Sequence, residues 1–165
     1  MNAQQKADWT LSDGYVVRHF IKREFRRPDE LRPRVIRTLD EMRYQVDQYR
    51  RVRGEDPIFI RIHDDVSPRP DNPGSYHPQA MAVDFSIWNK TTHEPLDAWE
   101  QFLLCRLYPW GGLGLYPFWN NPGCHGDIRP LSIYQPFATW WRDEDGKYLA
   151  VEEYIKRRWG HDCFK

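Results

Sequence analysis

The run AMAVDFSIW at positions 80–88 alternates at the two-residue period of a strand. Met81, Val83, Phe85 and Ile87 share one face, and Ala80, Ala82, Asp84 and Ser86 share the other. Asp84 therefore projects among small neighbours, away from the greasy side. The run CHGDIRP at 124–130 repeats the problem, because a strand places His125, Asp127 and Arg129 on one face. An imidazole, a carboxylate and a guanidinium in a row are costly to bury unless they serve each other or a ligand.

Other elements follow from period and punctuation. Leu31, Val35, Leu39, Met42, Val46 and Tyr49 recur at spacings of three and four, which predicts a long helix with those residues inward. Pro28 or Pro33 suits its first turn and Gly54 its stop. PIFIRIH (57–63) alternates Ile58, Ile60 and Ile62 as a half-buried strand, and SPRPDNPGS (67–75) is a loop by composition. A helix around 95–108 is predicted with Leu96, Trp99, Leu103 and Leu107 inward. GGLGLYP and CHGDIRP read as short strands, residues 138–150 as a closing hairpin, and VEEYIKRRWG as a last helix. Helices and strands mix without a regular βαβ alternation, so the expected class is α+β, with a small antiparallel sheet flanked by helices.

The chain has 165 residues, about one domain's worth, and no linker divides it. Residues 1–165 are read as a single domain, with 1–18 as an N-terminal tail or extension. Twenty-four basic residues balance twenty-four acidic ones, which removes the simplest electrostatic case for a nucleic-acid partner. The basic stretches IKREFRR and YRRVR read as solvated helix faces. Three cysteines without a Cys-x-x-Cys pair favour a reducing compartment. No apolar run approaches the ~18–20 residues of a membrane span. The N-terminus lacks a basic start followed by an apolar block, so no signal peptide is expected and synthesis in the cytoplasm is.

His77, Asp84 and His125 supply the three protein ligands of a catalytic zinc site, in which water takes the fourth position. Ordinary readings compete with this: a surface histidine near a turn, an edge aspartate, an ion-pair ladder through Asp127 and Arg129. His63, Asp64 and Asp65 read as a strand-end turn rather than a second metal site. His19 and His93 lack partners at ligand spacing, and Cys124 points away from the His125 face. GHDC (160–163) could supply a donor, but terminal residues are usually mobile. Trp110, Trp119, Trp140 and Trp141 read as core or cleft lining.

SYHPQAMAVDF resembles the Ser-x-His-x-x-Gly-x-Ala-x-Asp motif of zinc D-Ala-D-Ala carboxypeptidases and peptidoglycan endopeptidases, the D-Ala-D-Ala metallopeptidase branch of the group shared with lysostaphin and the hedgehog domain. Ser75, His77, Ala82 and Asp84 match, and Ala80 stands where that family usually has glycine. GGLGLYPFWNNPGCHGDIRP is similar to the second block through Gly112, Gly114, Tyr116, Pro117, His125, Asp127 and Arg129. The likeness runs from about residue 20 to about residue 150, and it implies a hedgehog/D-Ala-D-Ala peptidase-like fold.

The resemblance implies zinc on His77, Asp84 and His125 and hydrolysis of peptide bonds in peptidoglycan stems. Tyr116 and Ser75 are implied on the substrate side. Many relatives carry a glutamate base three residues before the last zinc histidine, where this chain has Pro122. Asp127 is the candidate base, with orientation of His125 as its other possible role. Arg129 either grips a substrate carboxylate or pairs with Asp127. The strand before the first motif lacks the Ser-Gly-aromatic-Arg pattern of relatives, and Arg69 is the candidate to replace that arginine, although a loop arginine is ordinarily solvated. The expectation is a cell-wall endopeptidase or carboxypeptidase, with size and missing export signal fitting a phage or prophage endolysin released by a holin-type pore. The alternative is a non-catalytic zinc-binding or structural module of the same fold.

Overall fold

The computed structural model describes residues 9–131 and 137–160. A two-stranded hairpin, β1 (Trp9–Thr10) with β2 (Val16–Val17), opens the described chain. Trp9 and Val17 are buried, so this part of the expected tail belongs to the core. The fully buried carboxylate of Asp40 holds the segment after the hairpin. It accepts from the Tyr15 hydroxyl at 3.1 Å and from the amides of Arg18 and His19 at 3.1 and 2.6 Å.

Asp40 lies on α1 (Pro33–Val52), which starts on Pro33 as anticipated and ends just before Gly54, whose φ is 72°. Val35, Leu39, Met42 and Val46 face inward as the spacing requires. Tyr49 does not; it is half exposed, against the Arg53 guanidinium.

The main sheet has six strands in the order β3 (Ile58–Asp64), β4 (Ala82–Asn89), β6 (Gly123–Asp127), β5 (Gly112–Tyr116), β7 (Ala138–Arg142), β8 (Tyr148–Leu149). It is mixed, not purely antiparallel as expected: β5 and β7 run parallel. The strands β6 and β7 have opposite directions, and β5 is inserted between them in the sheet. Side-chain alternation carries no information on strand direction, so the sequence pattern could not reveal this. The architecture is α+β.

One face of the sheet carries Ile58, Ile60, Val83, Phe85, Ile87, Leu113, Leu115, Cys124 and Trp141, all in one buried cluster with the inward side of α1. The helices α1, α2 (Ala98–Cys105) and α3 (Val151–Trp159) pack against β3, against β5 and β6, and against β7 respectively. Helix α2 is shorter than predicted and turned on its axis. Leu103 and Leu107 are exposed, and the inward positions go to Gln101, Phe102 and Cys105. Gln101 wins its place by hydrogen bonding. Its Oε1 accepts from the Ile87 amide at 2.7 Å, and its Nε2 donates to the carbonyls of Leu96 and Pro122 at 2.7 and 2.9 Å. A buried amide that satisfies three backbone groups outcompetes leucine there. No helix among the described residues is long and apolar enough to cross a membrane.

Candidate metal centre

The opposite face of the sheet carries the polar residues, and strand register sets them in a row. Asp84 on β4 pairs with His125 on β6, His125 with Gly114 on β5, and Gly114 with Trp140 on β7. The next row joins Ala82, Asp127, Gly112 and Ala138. Each row has a glycine for a reason of space. A Cβ on Gly112 would stand 2.7 Å from Asp127 Oδ2 and from Arg129 Nε, and one on Gly114 would collide with the Trp140 indole nitrogen.

His77 enters from the connection between β3 and β4. Its turn closes with the Met81 amide donating to the Tyr76 carbonyl at 3.1 Å and the Ala80 amide to the His77 carbonyl at 3.0 Å. These two bonds form a Schellman pattern, which requires a left-handed residue at its close. That residue is Ala80, at φ 59°. The glycine usual in the resembled family would sit at the one position where this turn demands it. Ser75 Oγ accepts from the His77 amide at 3.3 Å, so the serine steadies the turn while it lines the cleft.

Three donor atoms converge. His77 Nε2 lies 3.2 Å from Asp84 Oδ1 and 3.2 Å from His125 Nδ1, and His125 Nδ1 lies 2.8 Å from Asp84 Oδ1. All three residues are buried. A tetrahedron with metal–ligand bonds of ~2.0–2.1 Å has edges of about 3.3 Å. Two edges fit that figure closely and the third is shorter by about half an ångström. The far nitrogens support the same assignment. His77 Nδ1 lies 2.5 Å from the Asp65 carbonyl, which can only accept, so the proton sits there and Nε2 turns a lone pair inward. His125 Nε2 lies 3.3 Å from Asp127 Oδ2, so with a cation among the three donors its proton sits there and Nδ1 turns its lone pair inward.

Burial pushes the Asp84 carboxyl up, yet hydrogen bonds from His125 and His77 bring it below the ordinary carboxylate range. Burial lowers the His125 pKa, but hydrogen bonds to Asp127 and Asp84 outweigh it and carry it to about 9. The cluster's negative charge is thus met either by a proton on His125 or by a cation held among the three donors.

Asp127 lies behind the centre, with no exposed surface. It accepts from the Arg129 amide at 3.0 Å, Arg129 Nε at 2.8 Å and an Arg129 terminal nitrogen at 2.5 Å. Burial raises its pKa, and the Arg129 and His125 bonds reverse this to about 2. Arg129 is in turn packed between the rings of Tyr76 and Trp140, at 4.7 and 5.1 Å. Of the two roles open to each residue, the geometry has Arg129 paired with Asp127 and Asp127 orienting His125.

Arg69 reaches the centre from the loop: one terminal nitrogen donates to Asp64 Oδ2 at 2.5 Å and to Asp84 Oδ2 at 3.1 Å. Asp64 and Asp65 form the expected strand-end turn, and the buried Asp65 carboxylate accepts from the amides of Arg26, Arg27 and Val66. His63 bonds Ser86 Oγ at 2.6 Å. Cys124 is fully buried on the core face, beside Cys105. His161, Asp162 and Cys163 lie outside the described residues.

The centre opens on a cleft of about 970 Å³ between loop 68–77 and the far strands. Tyr116 faces it, stacked on Trp119 at 4.0 Å and accepting from Trp140 Nε1 at 3.1 Å. Burial drives its hydroxyl pKa upward. Sequence reasoning left Trp140 and Trp141 undivided between core and cleft and passed over Arg142. Strand alternation separates them, with Trp140 and Arg142 toward the cleft and Trp141 buried. No family model matches the chain, and no curated protein or solved structure matches it either.

Proposed function

We propose that the protein is a zinc-dependent peptidase acting on the peptide stems of bacterial peptidoglycan, in the manner of the metallopeptidases its two motifs resemble. The observation that carries this reading is the convergence of His77 Nε2, Asp84 Oδ1 and His125 Nδ1 at the head of an open cleft. Two neutral nitrogens and one carboxylate oxygen form a donor set suited to zinc, though other divalent ions accept it too. When bound, zinc supplies a Lewis acid that acidifies water and polarises a peptide carbonyl. Asp65 and Asp127 hold the two imidazoles in the ligating tautomer. Arg69 donates to the outer oxygen of Asp84 and so steadies the carboxylate whose other oxygen faces the two imidazoles.

A specific feature favours a second reading, a metal-binding module without turnover. Among the described residues that line the cleft, the carboxylates are Asp71, on the exposed loop, and Asp84, in the donor triad. A peptidase needs a group to carry the proton from water to the leaving amine. Asp127 is enclosed by Arg129 and His125, which leaves that task without an evident owner.

Elemental analysis of the purified chain, with a cell-wall turbidity assay, separates the readings. Zinc with clearing supports the peptidase. Zinc without clearing supports the binding module, and absence of both overturns the two together.

A further inference from the structure

Three arginines line the cleft, and two are committed. Arg69 pairs with Asp64 and Asp84, and Arg129 with Asp127. Arg142, on β7, is different. Its Nε donates to the Gly146 carbonyl at 3.2 Å, and its guanidinium lies 5.8 Å from the centroid of the Tyr148 ring. The acids of the following turn partner elsewhere. Asp143 accepts from the amides of Asp145 and Lys147 and lies 3.8 Å from Arg157, Glu144 lies 3.6 Å from Arg157, and Asp145 lies 3.7 Å from Lys147. Among the described residues no carboxylate meets Arg142.

Its position gives that free cation a use. Trp140 and Arg142 share a face of β7, and the Trp140 ring stands 5.4 Å from the His125 ring. Arg142 is thus one strand repeat, about 7 Å, further from the metal centre along the same wall. Tyr148 is its cross-strand partner, and Tyr116 and Trp119 line the cleft with it. An unpaired guanidinium beside the Tyr148 ring, at the edge of the cleft, suits a planar anion, which it can bind through two parallel N–H donors.

We propose that Arg142 anchors a carboxylate of the bound peptide, so that the cleft selects an acidic peptide chain lying from the metal centre toward β8. The span from His125 to Arg142 fits about four residues of extended chain at ~3.3 Å each. The assignment of a peptide as ligand rests on the peptidase reading; the anion anchor itself does not require turnover.

The test is calorimetric titration of the zinc-loaded full chain, wild type and Arg142→Gln, with two probes. One is a synthetic stem pentapeptide with free carboxylates, and the other is the same peptide with every carboxylate amidated. Wild type should bind the free acid about 10-fold more tightly, the scale of one charge-assisted pairing. Arg142→Gln should bind the two alike, with unchanged zinc content, and Arg142→Lys should keep part of the preference. Equal binding of both probes by wild type, binding of neither, or a preference that survives Arg142→Gln overturns the proposal. If the preference depends on Arg142 but no peptide bond is cut, the anchor stands and the peptidase reading falls.

Discussion

His77 Nε2 and His125 Nδ1 stand 3.2 Å apart, although forty-eight positions separate them in the chain. Two ring nitrogens that meet beside a carboxylate need a positive charge to join them, and with a cation there each ring keeps its proton on the far nitrogen. Their meeting leads to the first prediction. Wild-type protein should retain about one equivalent of zinc after dialysis, and His77→Ala well below one, because one of three protein ligands is gone. Asp84→Ala should behave likewise. Full occupancy in either variant, measured by elemental analysis, removes that residue from the centre.

Asp127 supplies the second. Its carboxylate fixes the His125 tautomer from behind, so Asp127→Asn should weaken zinc binding about 10- to 100-fold in competition with a chelator. Arg129 would then be left part-buried beside a neutral amide, and a loss of several kcal/mol of stability is expected in denaturant unfolding. A base that acted only on substrate would leave zinc affinity untouched, so unchanged affinity would refute the positioning role.

Much of this centre is legible in the sequence alone. Alternation alone put Asp84 opposite the greasy face of β4 and set His125 with Asp127, and register then made Asp84 and His125 direct neighbours. The turn bearing His77 is not legible there: alternation places Ala80 at the head of the strand, whereas β4 starts at Ala82 and Ala80 closes the turn at φ 59°. What escaped depends on tertiary neighbours. Arg129 has two plausible partners in a sequence, and only packing between Tyr76 and Trp140 decides for Asp127. Gln101 displaced the leucines of α2 because three backbone groups around it needed partners. The parallel pairing of β5 and β7 reflects the order of strands in space, which period-two patterns do not encode.

Gly114 gives a third prediction. It sits between His125 and Trp140 in the cross-strand row, and an added methyl would press on Trp140 and on Tyr116, the latter at 2.7 Å. Overpacking of this kind costs about 1–3 kcal/mol. Gly114→Ala should therefore lower stability by that amount and shift the intrinsic tryptophan fluorescence as the indole is displaced. A variant that melts like wild type with the same emission would mean that Trp140 does not rest on the strand.

Ala80 supplies the last. Its φ of 59° is a conformation that costs an L-residue about 1–2 kcal/mol and glycine little. Ala80→Gly relieves that strain but adds freedom to the unfolded chain, worth about 0.4–1 kcal/mol against folding. The difference favours the glycine variant slightly, so its midpoint of unfolding should equal or exceed that of wild type, with zinc affinity unchanged. Ala80→Val points the other way, because a β-branched side chain tolerates the left-handed region poorly. The turn that sets His77 should open, with stability falling by about 2 kcal/mol or more and zinc affinity falling in parallel. If valine is accepted at no cost to either measurement, the Schellman turn does not hold His77 in place.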